Sequence, residues 1–312
     1  MDIETGILNQ ENNTYKKVNS PFGYFGSKNR LALQLCENLP PHHCWVEAFC
    51  GSASMTLAKS PAPIEIINDI DDEIINLFYQ LRNNQNELCE QIALTPYSSE
   101  ELKKSRILNI NDNDLERARK FLVQSMMAIN GVFGEQRSGF SASNSYTRNN
   151  KEARVNRWYN LPERLSNVIE RLKSIRIENR DAITLIEKFL YRPASLIYLD
   201  PPYFANRTNG YNKDVNNQEY HHELLKVADK AKCMVFISGY ENDLYNSELT
   251  KKKGWVKKTF QAETKDSKGK SHSRTEVLWM NKYFIQAQET NVVPIVLTEK
   301  EKIQKKINPE RK

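Results

Sequence analysis

Leu196-Ile197-Tyr198-Leu199-Asp200-Pro201-Pro202-Tyr203 is the stretch that decides how this chain is read. Its first four residues read as an apolar strand, and Cys233–Ser238 as one buried on both faces. The strand at 196–199 runs into an acid. In open α/β sheets ligands bind beyond the carboxyl ends of the strands, so Asp200 stands where a ligand would lie. The two prolines fix φ and remove two N–H donors but leave their carbonyls free to accept. The segment therefore offers a carboxylate, carbonyl acceptors and an aromatic face in a stiff corner. An exocyclic amine on a heteroaromatic base suits that set. Its two hydrogens can go to the Asp200 carboxylate and the Pro201 carbonyl. Its lone pair is conjugated into the ring, and two acceptors favour sp³ character and stabilise the positive charge that grows as an electrophile arrives. Tyr203 can stack on the base, worth ~1–3 kcal/mol. The same four residues also fit a turn that merely ends a strand.

Working outward, residues 43–50 read as a strand that runs into Gly51-Ser52-Ala53-Ser54. A helix follows, with Ser52 or Ser54 as its cap. Small side chains let a cofactor lie against the backbone. One glycine is not the three of the dinucleotide fingerprint, so a plain tight turn fits as well. Residues 64–69 form a second strand that ends at Asp69. An acid about 20 residues past such a turn can accept both ribose hydroxyls of an adenosine-containing cofactor. It can equally cap the helix predicted over 71–81, and Asn68, Asp71 and Asp72 compete for either role. Phe22-Gly23-Tyr24-Phe25-Gly26-Ser27-Lys28 packs aromatics, glycines and a lysine together. Its aromatics can cover an adenine or a sulfonium centre, and Lys28 can pair with a cofactor carboxylate. An anchored N-terminal loop is the plainer alternative.

The strand–helix rhythm breaks after Arg82. Residues 83–130 read as polar-rich helices, and 131–150 as a hairpin or loop with glycines, serines and asparagines. A helix with proline in its first turn spans about 162–173. The rhythm returns with strands at 175–179, 196–200 and 233–238. Helices fall near 183–189 and 220–232. Two late strands, 255–262 and 275–281, flank a basic loop over 263–274. The first ordered element is expected at Pro21, and a charged tail begins at Thr298. The whole is an α/β domain split by an insertion at about 83–165.

The 312 residues include 39% hydrophobic ones, enough for a core. No stretch approaches the ~18 apolar residues of a membrane span, and the polar first 20 residues do not read as a signal peptide. The five cysteines form neither a CxxC pair nor a zinc spacing. They read as reduced thiols of a cytoplasmic protein with no metal site. The net charge is +6, yet residues 250–282 alone carry +7. That segment, with Lys268, Lys270 and Arg274, suggests a polyanion contact or a solvated loop.

These motifs, in this order, resemble the Dam-type N6-adenine DNA methyltransferases of the alpha group. The resemblance covers roughly 20–282. It places Tyr24 to Lys28 as the N-terminal cofactor motif, Phe49 to Ser54 as the glycine-bearing first-strand motif, Asp69 as the acid of the second strand, and Asp200 to Tyr203 as the catalytic D-P-P-Y. It implies a Rossmann-like methyltransferase sheet with an inserted, mostly helical target-recognition domain. The cofactor would be S-adenosylmethionine and the partner double-stranded DNA, in a bacterial or phage-infected cell. Tyr24, Lys28, Phe49, Gly51, Asp69, Asp181 and Asp200 would form the cofactor pocket, and Asp200, Pro201, Pro202 and Tyr203 the catalytic corner. The domains would be 20–82 with 166–285 for catalysis, 83–165 for target recognition, and a tail over 286–312. Cys50 departs from the glycine or other residue found there in many relatives.

Gly131 to Phe140 resembles the family's hairpin that enters DNA. Arg137 would contact a base, since arginine bidentate to guanine is the commonest specific pairing, or else a phosphate. Asn144, Arg148, Lys151, Arg154 and Arg157 would meet phosphates. Methylation of cytosine N4 or of adenine in RNA uses the same chemistry. A specificity subunit without catalysis is the rival from another class.

Overall fold

The computed structural model describes residues 4–6, 17–23, 28, 31–107, 109–129, 131, 138–144, 146–148, 150–202, 218–265 and 271–295. Side chains are described for these apart from 4–6, 262–265, 271–274 and 295.

The central sheet has seven strands: β1 Cys44–Glu47, β2 Ile64–Asn68, β3 Ile175–Glu178, β4 Ser195–Leu199, β5 Met234–Gly239, β6 Val256–Lys265 and β7 Ser271–Met280. Their order is β3-β2-β1-β4-β5-β7-β6. The first five are parallel, and β7 runs antiparallel to both β5 and β6. Every residue of β1, β4 and β5 is buried, which is why these strands read as continuous apolar runs rather than alternating ones. The chain fills the sheet outward from β1 to β3, then returns to the other side of β1 with β4. The filling direction therefore reverses between β1 and β4, the place where open α/β sheets bind ligands.

Strand alternation sorts the core. Val46, Ile197, Ile237 and Trp279 face helices Ala182–Glu187 and Gln218–Lys230. Trp45, Tyr198, Phe236 and Leu278 point the other way, beneath helices Ala32–Cys36 and Lys282–Thr290. Helix Asp72–Asn83, which buries Phe78 and Leu81, joins a third apolar cluster with β2 and β3. Helices Gln85–Leu94, Ser99–Ser105, Asp114–Met127 and Leu161–Leu172 add Leu88, Leu102, Leu122 and Leu165 to that cluster. The inserted helices thus share a core with the sheet's edge.

Three local expectations change. Helix Ser54–Ala58 is entered through Ala53, at φ 53°, with no side-chain cap from Ser52 or Ser54. The turn needs a left-handed residue to swing the chain off β1, and that geometry takes the cap position. The late strands run to Lys265 and from Ser271, so most of the expected basic loop is paired strand, with Ser273 opposite Glu263. Antiparallel pairing satisfies backbone groups that a long loop would leave to water. Finally, order begins before Pro21: Glu4–Gly6 pairs antiparallel with Val293–Ile295. Among the described residues no helix is long and apolar enough to cross a membrane. The tail from Thr298 lies outside the described residues.

Candidate active site and nucleic-acid groove

The turn after β1 is locked to the end of β2. Cys50 N–H donates to the Asn68 carbonyl at 2.8 Å, and Gly51 N–H donates to Asp69 Oδ2 at 2.8 Å. Gly51 sits at φ 47°, which favours a residue without Cβ. Asp69 Oδ1 accepts from Asp71 N–H at 3.0 Å. The open choice at this strand end is resolved by Asp71, which caps helix Asp72–Asn83 by accepting from Glu73 N–H. Asp69 is left to hold the turn. An ionised carboxylate has about four lone-pair sites, so Asp69 keeps capacity for hydroxyl donors. Burial pushes its carboxyl up to about 6, against the pull of the Asp71 and Gly51 N–H groups.

Asn68 emerges as a residue that periodicity does not single out. Its side-chain amide donates to the Ala48 and Arg180 carbonyls at 2.9 and 3.0 Å, and its carbonyl accepts from Arg180 N–H at 3.1 Å. It ties together the ends of three strands. Asp181 then caps helix Ala182–Glu187 through Thr184 N–H at 2.9 Å and accepts from the Tyr220 hydroxyl at 3.2 Å. Phe49 is half-buried and leans on the cluster beneath that helix. Cys50 is buried, and burial raises its thiol well above the ordinary range, so it is a packing group.

Beside this turn, β4 delivers the proline corner. Ala48 N–H donates to the Tyr198 carbonyl at 3.2 Å, which puts the two strand ends side by side. Asp200 Oδ1 accepts from Ser238 Oγ at 2.8 Å and from Lys28 Nζ at 2.9 Å. The Ser238 proton is committed to Asp200, so the Tyr198 hydroxyl, 2.8 Å away, donates to Ser238. Among the described residues nothing donates to Asp200 Oδ2. Pro201 is buried and Pro202 half-buried. Glu47 lies beneath, wholly buried, accepting from Thr56 N–H at 2.9 Å and from the Thr56 hydroxyl. Burial raises its carboxyl to about 7, against the Thr56 bonds and helped by nearby Asp200.

The expected partner of Lys28 is a cofactor carboxylate, but the partners found belong to the protein. The residue is 4% exposed, with its ammonium 2.9 Å from Asp200 Oδ1 and 3.5 Å from Glu276 Oε2. Burial alone would strip its proton; Asp200, Tyr198 and Glu276 outweigh that and hold it more firmly than water does. Glu276 is 7% exposed on β7, sharing a face with Leu278 and Met280. An acid at an inward position of Thr275-Glu276-Val277-Leu278-Trp279-Met280 was the available signal.

The expected phosphate contacts converge elsewhere. Arg148, Arg154, Arg157 and Arg164 line a groove of about 800 Å³ together with Tyr146, Asn156 and Asn160. Among the described residues no carboxylate lines it. Arg157 and Arg164 are half-buried, and burial lowers the hold of both on their protons, with Arg164 and Arg154 adding repulsion at Arg157. Arg164 joins the groove without a signal in the sequence that marks it. Asn144 is exposed nearby in sequence, and the Lys151 ammonium stacks over the Tyr159 ring at 4.0 Å. In the basic C-terminal segment Lys257 is paired to Glu241 at 2.6 Å and Lys253 to Glu248 at 3.1 Å. Part of the segment's charge is thus already balanced. Tyr24, Arg137, Tyr203, Lys268 and Lys270 lie outside the described residues, as does the Arg274 side chain.

Comparison with known proteins adds a family to this geometry. Residues 24–270 match the model of the D12 class N6 adenine-specific DNA methyltransferases. The Type II methyltransferase M1.LlaDCHI of Lactococcus lactis subsp. cremoris is 24% identical over 230 residues, covering 69% of this chain and 75% of that protein. Among solved structures, a candidate RNA methyltransferase from Pyrococcus horikoshii aligns with a TM-score of 0.36 at 8% identity, covering 83% of each chain. Precorrin 8w decarboxylase from Methanobacterium thermoautotrophicum aligns with a TM-score of 0.31 at 10% identity, covering 81% of this chain and 87% of that one.

Proposed function

The chain belongs to the D12 class of N6 adenine-specific DNA methyltransferases, and from that premise we propose that it takes its methyl group from S-adenosylmethionine and receives the target amine at Asp200. The observation that carries this reading is the state of Asp200. One oxygen is held by Lys28 and Ser238, and the other takes no bond from any described residue. Asp200 follows β4, whose end lies beside that of β1, where the sheet's filling direction reverses.

The residues present fit the cofactor. Gly51, Ser52 and Ala53 form a turn of small residues, the side chains that let an adenosine lie close to the backbone. Asp69 keeps lone pairs for the ribose hydroxyls, and Phe49 and Asp181 border the same strand ends. When bound, S-adenosylmethionine supplies an electrophilic methyl group. Asp200 Oδ2 and the Pro201 carbonyl accept the amine's hydrogens, hold the nitrogen lone pair toward the electrophile, and stabilise the charge that develops. Holding the reacting groups in line is itself a large contribution to rate. Pro201 and Pro202 keep the corner rigid, and Tyr203 would stack on the base.

In a duplex the adenine amine is covered by pairing and stacking, so the base leaves the helix to reach Asp200. Domain 83–165 would grip the DNA. Arg148, Arg154, Arg157 and Arg164 meet phosphates in the groove, flanked by Asn144 and Lys151, while Arg137 reads a base. Lys268, Lys270 and Arg274 would hold the backbone.

The test is expression of the wild-type and Asp200→Ala proteins in cells that lack adenine methylation. Nucleoside analysis and sequencing of modified adenines follow. N6-methyladenine at one recurring site in the wild type, absent in the variant, is the expected result. Methylation that survives Asp200→Ala overturns the assignment of the acceptor.

A further inference from the structure

We propose that Glu276 is a positioning residue for methyl transfer: it anchors the Lys28 ammonium on the Oδ1 side of Asp200 and offsets its charge, leaving Oδ2 a full-strength acceptor for the target amine. This rests on the reading of Asp200 given above.

The geometry poses an electrostatic problem that Glu276 solves. A cation 2.9 Å from the acceptor carboxylate opposes the positive charge that must grow on the amine nitrogen. Were Lys28 and Asp200 alone, the pair would be neutral, and little negative potential would remain for the transition state. Glu276 Oε2, 3.5 Å from the same ammonium, sets a second carboxylate against that charge. It also gives the lysine a second anchor. Both described bonds to Asp200 go to Oδ1, one from Lys28 and one from Ser238. A lysine freed from Glu276 can swing to bridge both carboxylate oxygens, which would occupy Oδ2.

The placement follows from topology. Strand β7 is antiparallel to β5, so its earlier residues lie where β4 and β5 end: Val277 pairs with Gly239. Glu276 points to the face that holds Tyr198 and meets Lys28, whose carbonyl accepts from the Leu31 and Ala32 N–H groups at the start of helix Ala32–Cys36. With Lys28 at 4% and Glu276 at 7% exposure, the pair is shielded from the solvent that weakens surface ion pairs.

The experiment measures single-turnover methylation of a duplex carrying the mapped site, at saturating S-adenosylmethionine. It compares wild type, Glu276→Gln, Glu276→Asp, Lys28→Met and the double variant Lys28→Met with Glu276→Gln. Glu276→Gln is expected to slow transfer by about 10- to 100-fold, the scale of a misplaced catalytic group, with affinities for cofactor and duplex within about threefold of wild type. Glu276→Asp restores the rate to within about threefold. Because Glu276 acts through Lys28, Glu276→Gln costs less than about threefold in the Lys28→Met background, the non-additivity expected of coupled residues. Unchanged transfer in Glu276→Gln, a loss confined to affinity, or an equal loss with and without Lys28 overturns the proposal. Thermal melts accompany every variant. Should Glu276→Gln fail to fold, Glu276→Leu takes its place in every comparison, with the same supporting and overturning results. Asp200→Ala runs alongside: turnover there within about tenfold of wild type would defeat the assignment of Asp200 itself, whereas a severely slowed Asp200→Ala with a fully active Glu276→Gln defeats only the role of Glu276.

Discussion

Lys28 and the groove arginines are opposite solutions to the placement of positive charge. Lys28 is buried between two carboxylates, so its charge meets counter-charge inside the protein. Arg148, Arg154, Arg157 and Arg164 share a groove with no carboxylate among the described residues of its walls. The first arrangement gathers carboxylates at the strand ends, where the proposed reaction makes an amine cationic. The second leaves positive charge uncompensated within the groove until an anion arrives, and burial at Arg157 and Arg164 makes the lack of a counter-charge costly. The function proposed above assigns catalysis to the first region and the grip on DNA to the second.

The sharpest way to break that contrast is at Asp200. Asp200→Ala should lower turnover by about 10³-fold, as loss of a transition-state acceptor does, while duplex affinity in a filter or anisotropy assay stays within a few-fold. A matching loss of DNA affinity would merge the two regions. A second buried charge cluster gives a control that is structural only. Arg171 is bound to Glu65, which also pairs with Lys59 at 2.6 Å. Arg171→Met should cost about 3 kcal/mol in denaturant unfolding, as breaking a buried pair does. It should leave DNA affinity per folded molecule unchanged.

In the groove, Arg157→Ala with Arg164→Ala should weaken duplex binding by about 10-fold or more at physiological salt. The slope of log affinity on log salt should shrink by about 0.9 for each phosphate that the variant no longer neutralises. Transfer at saturating DNA should stay at the wild-type rate; a fall there would place these arginines in catalysis. The smallest effect concerns pH. The Asp69 carboxyl titrates near 6 in the folded protein against an ordinary value of 3.8. Its ionised form, the better acceptor for ribose hydroxyls, is present above that value and lost as pH falls through it. Cofactor affinity by calorimetry should therefore be flat above pH 7 and weaken by up to about tenfold per unit below 6, the limit for one proton. Asp69→Asn should bind more weakly and show no such slope. The stability contribution has the opposite sign: the folded state holds the extra proton between the two values, so this group favours folding less as pH rises through 6.

The positions of the strands along the chain, and the acids that end two of them, were legible without coordinates. Asp69 and Asp200 follow apolar runs, and each is found at the carboxyl end of its strand. Local signals carry that far because a strand buried on both faces has a composition of its own. The same signals misplaced the cap at Ser52 or Ser54, because a left-handed Ala53 is a property of the turn's path. They also read a loop into residues that pair across β6 and β7.

What the sequence determined by itself is the chemistry on offer: a stiff acid–proline corner, a small-residue turn, an acid after the second strand, and basic residues in the insertion. Tertiary structure decided the partners. Glu276 meets Lys28, Asn68 ties Ala48 to Arg180, and Arg164 joins Arg148, because strands and helices distant in sequence pack side by side. A residue's own neighbourhood in the chain reports its propensity and its face. Which charge it will meet across the sheet depends on how the strands are ordered, and no local pattern encodes that.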